Sequence, residues 1–158
     1  MENADEQAQK AQERAEWLRL FAADIEANNW ACVVPITAQV LTRLQALVPH
    51  RPDVHAELEL AFNIPLLEQM QRNDALVPAD VAHYVGSMYD WVGRFGAPVD
   101  DAGTADASDG LRARLAEGLA GAVPAAVLDV HDRIDRIIRL AKGAIRVDGA
   151  GRPQENVA

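Results

Sequence analysis

Cysteine, aromatic residues and positive charge are all scarce in this chain, and each scarcity removes a class of protein. Cys32 is the single cysteine, so no intrachain disulfide can form and a reducing, cytoplasmic setting is the simpler expectation. Aromatic residues are only 5% of the chain, against 49% hydrophobic residues rich in Ala, Leu and Val. That balance suits helices packed on helices better than a β-sandwich. Lys and Arg number 15 against 24 Asp and Glu, a net charge of −9. Binding a polyanion depends on cations that neutralise phosphates, so no nucleic-acid partner is expected, and anionic lipid is repelled as well. No apolar run approaches the roughly 20 residues that span a bilayer, which argues against membrane insertion. The opening Met1-Glu2-Asn3-Ala4-Asp5-Glu6 is acidic and polar, unlike a secretory signal.

At 158 residues the chain has the size of one ordinary domain with a single core. Periodicity predicts an all-α bundle of about six helices over residues 1–146, with a flexible, disordered tail over 147–158. Asn3 or Asp5 is placed to cap a first helix reaching about Asn28, with Ala11, Ala15, Leu18, Phe21, Ala22 and Ile25 on one face. A second helix is expected from Asn28-Asn29 or Pro35 to Val48, and a third capped by Asp53 and interrupted at Pro65. Pro78 suits the first position of the next helix, and Val81, Tyr84, Val85, Met88, Trp91, Val92 and Phe95 form its stripe up to Gly96. The short, acidic stretch Val99–Asp109 reads as a mobile loop. Ser108 or Asp109 would then cap a helix carrying Leu111, Leu115 and Leu119, and Pro124 would open the last helix. There is no repeat and no stretch of convincing strand alternation.

Several residues invite a chemical reading. Asp129, His131, Asp132 and Asp135 stand at helical spacing, as metal ligands can. However, Asp129, Asp132 and Asp135 each precede an arginine (Arg133, Arg136, Arg139) by four residues, the favourable order for ion pairs along a solvated helix face. No Glu-x-x-His follows, so the di-iron bundle pattern fails. Asp80 with His83, and His50 with His55, lack the third ligand of a catalytic zinc site. Cys32, beside Trp30 and Val33, reads as a small apolar residue. The Tyr84, Met88, Trp91, Phe95 stripe could line a pocket, although core is the ordinary role at this spacing. Phosphate-binding glycine loops and nucleophile elbows are absent. No metal or cofactor is expected.

Read together, Val48-Pro49, Ala56-Glu57-Leu58, Phe62 through Met70, Asn73-Asp74-Ala75-Leu76, Tyr84-Val85 and Phe95 through Asp101 resemble the T-complex protein 11 family. That family carries a Leu-Asp then Leu-Ile-x-Gln-Gln helix, a Gly-Ala-Leu turn and a Leu-Cys-Ala-Pro-x-Arg-Asp signature in this order. Gln69 and Asp101 keep the pattern, while Asn63, Asp74, Gly96 and Asp100 depart from it. The resemblance implies an all-helical, non-enzymatic regulatory or adaptor protein that contacts another protein, in cAMP-dependent signalling, with no catalytic residues. Gln69, Arg72, Pro98 and Asp101 are then the first candidates for a contact surface, where the pattern survives beside polar groups. A different reading, from charge and size alone, is a small acidic inhibitor (an immunity protein or antitoxin) that masks a basic partner.

Overall fold

The computed structural model describes residues 3–142, 145–147 and 153–155. Among the described residues, seven α-helices make up the body: α1 (Ala4–Glu26), α2 (Val33–Ala46), α3 (Pro52–Phe62), α4 (Ile64–Arg72), α5 (Pro78–Phe95), α6 (Asp101–Leu115) and α7 (Leu119–Ala141). Counting α3 and α4 as one interrupted helix, this is the six-helix, all-α bundle that the periodicity predicts. Among the described residues, strand is confined to a short antiparallel ladder outside the bundle, with Ile145 opposite Glu155 and Val147 opposite Pro153. The rest of the expected tail lies outside the described residues.

Local chemistry explains most boundaries. Asn3 Oδ1 accepts from the Glu6 amide at 2.8 Å and so starts α1. The left-handed Asn28, at φ 55°, follows its end. Pro35 falls in the first turn of α2, where few amides have an intrahelical partner, so it fits without breaking the helix. Asn63, at φ 40°, ends α3, and its side chain accepts from the Leu66 amide at 3.3 Å to begin α4. One residue is thus both stop and start, with Pro65 just inside the new helix. Pro78 opens α5, and Asp80 Oδ2 accepts from the Val77 amide at 3.1 Å.

Three boundary expectations are corrected. Asp53 is not the cap of α3; Arg51 holds that position, and Asp53 sits in the first turn paired with it at 2.8 Å. Pro124 does not open α7, which starts at Leu119 after Gly118 turns the chain at φ 145°. Pro124 lies buried inside the helix and leaves the Ala120 carbonyl without its usual amide. The expected acidic loop over Val99–Asp109 is instead a 3-10 turn, Pro98–Asp100, running directly into α6, so neither Ser108 nor Asp109 is a cap. The physical reason is tertiary. Arg136 Nε donates to Asp100 at 2.7 Å, and Arg133 donates to the Thr104 hydroxyl and the Gly103 carbonyl, both at 3.3 Å. Those bonds, with Thr104 and Leu111 buried against α5 and α7, hold a segment whose own helix propensity is low.

Helix α7 organises the core. It packs against α1, α2, α5 and α6, and Ala126, Val130 and Ile134 on it are completely covered. From α5 come Val81, Val85, Met88, Tyr89 and Val92, and from α2 to α4 come Val40, Leu44, Leu58, Phe62 and Leu67. The Tyr84, Met88, Trp91 stripe is therefore core, with Phe95 half-buried at its end. The first half of α1, through Glu16, is exposed. Among the described residues no helix is long and apolar enough to cross a membrane.

Candidate functional site

The acidic row on α7 is ion-paired, but mostly not along its own helix. Asp129 does pair with Arg133, one turn on, at 2.9 Å. Asp132 instead takes a two-pronged contact from Arg14 of α1, at 3.1 and 3.0 Å. Asp135 takes Arg43 of α2. Arg136, the partner expected for Asp132, reaches Asp100 across the bundle. The expected Asp132–Arg136 and Asp135–Arg139 pairs are thus replaced by contacts between helices. At three-residue spacing the row sweeps across the face of α7 and meets a different neighbour at each step. The cluster fastens α7 to the elements around it, and among the described residues no group of three or more His, Cys, Asp or Glu could hold a metal ion.

Tyr89 is the polar core residue that periodicity alone does not single out. Its hydroxyl donates to Asp129 Oδ2 at 2.7 Å, the same oxygen that receives Arg133 Nε. Burial, then the Asp129 carboxylate, push the phenol well above its ordinary range. The chain Tyr89–Asp129–Arg133–Thr104 links α5, α7 and α6, and among the described residues no buried polar side-chain atom lacks a partner.

The histidines divide by environment. His131 Nδ1 lies 2.8 Å from Arg43 Nη1. Since a guanidinium can only donate, the imidazole accepts there and is neutral. Burial first, and the Arg43 charge second, lower its pKa, with Asp135 and Asp132 opposing. His131 also lines an open cleft of about 470 Å³ with Trp17, Gln39 and Leu128. His55 is half-buried, and its Nε2 donates toward the Gln45 and Val48 carbonyls, both at 2.9 Å. It thereby satisfies carbonyls at the end of α2. His50 and His83 are exposed. Cys32 is partly buried, and burial, with the Asp24 carboxylate next, pushes its thiol up, away from the thiolate a nucleophile needs.

The contact candidates fall in two places. Gln69 and Arg72 are exposed on α4, which packs on α2. Pro98 begins the 3-10 turn and Asp101 is exposed at the start of α6, which packs on α5 and α7. Gln69 follows Pro65 and Leu66 by four and three residues and shares their outward face. Beside it lies the surface that sequence reasoning missed, an apolar groove of about 660 Å³ lined by Leu41, Ala56, Glu59, Leu60, Asn63, Ile64 and Pro65. Leu60 is 80% exposed and Leu66 44%. Leu60 sits four residues after Ala56, off the Val54, Leu58, Phe62 stripe, and that misfit is the signal that could have revealed it. A second groove, between α5 and α6, carries Asp90, Asp101 and Asp109 with Arg94. Arg94 also lies 4.0 Å over the Trp91 ring and reaches Glu57 at 3.4 Å.

Compared with known proteins, the chain matches no family model, no curated protein and no solved structure.

Proposed function

We propose that this chain is a non-enzymatic helical regulatory or adaptor module that acts by contact with another protein. The observation that carries this reading is the open apolar groove at the α3–α4 elbow, with Leu60 standing 80% exposed at its edge. An exposed apolar surface flanked by polar groups is the usual mark of an interaction site. Asp129, Asp132, Arg133, Asp135 and Arg136 of α7 are engaged in ion pairs that hold the bundle, which supports a rigid scaffold presenting surfaces. The resemblance to the T-complex protein 11 family points the same way, and a place in cAMP-dependent signalling rests on that resemblance alone. Affinity capture from the native host tests the reading. A partner retained by the wild-type chain and lost with Leu60→Glu is the expected result, whereas repeated capture of no protein would count decisively against it.

A small acidic inhibitor is the second reading, favoured by the acid-lined groove between α5 and α6. It predicts a basic partner whose binding weakens steeply with salt and is lost when Asp90, Asp101 and Asp109 become asparagine. Loss with Leu60→Glu and retention with the asparagine variant would decide for the first reading.

A further inference from the structure

We infer that the α3–α4 groove receives one amphipathic helix of a partner protein whose polar flanks are basic. This rests on the protein-contact reading above and adds what the partner must look like.

The groove has the form that a helix fills. Its walls are α3 and the start of α4, set apart by the left-handed Asn63, and Leu41 of α2 contributes to its lining. At about 1.5 Å per residue, the lining from Ala56 to Asn63 offers roughly 10 Å of wall, enough for about two turns of a docked helix. Ala56 and Leu60 lie one turn apart on that wall, with Ile64 and Pro65 at its far end. Apolar anchors repeating every turn on a partner helix would meet them in sequence.

Charge selects among apolar helices. Glu59 is the only charged lining residue. It accepts from Gln45 at 3.3 Å and, among the described residues, forms no ion pair. Of the charged groups on α3 and α4, Asp53 is paired with Arg51 and Glu57 with Arg94, which leaves Glu59 and Glu68 against Arg72. Glu68 is exposed on α4. With a chain net charge of −9, an incoming helix with lysine or arginine beside its leucines is drawn in, and one flanked by acid is repelled.

The test uses the full chain and two labelled helical peptides that share one leucine face, with lysine flanks in the first and glutamate flanks in the second, followed by fluorescence anisotropy. The lysine peptide should bind saturably and lose affinity as salt rises, and the glutamate peptide should not bind. Leu60→Glu should weaken the lysine peptide by about tenfold or more, because it sets a carboxylate against the apolar face. Leu60 is 80% exposed, so this variant keeps the fold, which circular dichroism verifies. Glu59→Lys with Glu68→Lys should reverse the preference between the peptides. Equal binding of both peptides, or binding indifferent to Leu60→Glu, would overturn the inference. So would sedimentation showing a dimer that Leu60→Glu dissolves, which would assign the groove to a second copy, or Leu60-dependent binding to anionic vesicles. If the lysine peptide fails while host-partner capture persists through Leu60→Glu, the groove assignment falls and the protein-contact reading stands.

Discussion

Tyr89→Phe isolates the hydrogen bond that joins α5 to α7. The ring is 1% exposed, so phenylalanine keeps its packing and removes the hydroxyl alone. What is lost is a bond of 2.7 Å to the Asp129 carboxylate and a longer one of 3.4 Å to the Ala126 carbonyl. A hydrogen bond to a charged group contributes about 1.5–3 kcal/mol. Asp129 is 38% exposed and keeps Arg133 at 2.9 Å, so water can repair part of the loss and the low end applies. A destabilisation of about 1.5 kcal/mol would lower the urea midpoint by roughly 0.5–1.5 M and the melting temperature by about 3–6 °C. Chemical denaturation followed by far-UV circular dichroism reads the first, and calorimetry the second. Combining Tyr89→Phe with Asp129→Ala in a double-mutant cycle should give a coupling of about 1 kcal/mol or more. A single-variant loss under about 0.5 kcal/mol, or strict additivity in the cycle, would refute the account, since surface changes alone are of that size.

Other outcomes follow from the same geometry. His131 is held neutral with a lowered pKa, so the unfolded chain takes up a proton first as pH falls below about 6.5. Stability should therefore decline on acidification from that point toward the depressed folded-state pKa, and His131→Gln should flatten this part of the stability-against-pH curve. Asn63→Ala should cost about 2–3 kcal/mol, combining left-handed strain with a lost cap, and Asn63→Gly should cost less than about 1 kcal/mol in the same urea assay. Amide hydrogens from Ala105 to Leu111 should exchange slowly, as in a packed helix, and Arg133→Met should speed them selectively. Exchange at unfolded-chain rates in the wild type would restore the loop reading.

Residue order alone determined the helical class, the break before Pro65, the Pro78 start and most of the buried face of α5, and narrowed the first cap to Asn3 or Asp5, because these depend on spacing within a turn and on proline and asparagine backbone chemistry. Such effects act over a few residues and need no knowledge of neighbours. The apolar groove at the α3–α4 elbow was not legible, since a groove exists only once α2, α3 and α4 meet. Val99–Asp109 reads as loop in isolation because its side chains are short and acidic, although Asp101 at its start and Arg112 and Arg114 near the end of the helix suit a helix dipole. Arg133 and Arg136, distant in sequence, settle it as helix. The ion pairs show the same division. Spacing within α7 offered three partners, and the bundle realised the Asp129–Arg133 pair while sending Asp132 to Arg14 and Asp135 to Arg43. Only packing decided those pairings, because long arginine side chains reach whichever carboxylate a neighbouring helix brings close.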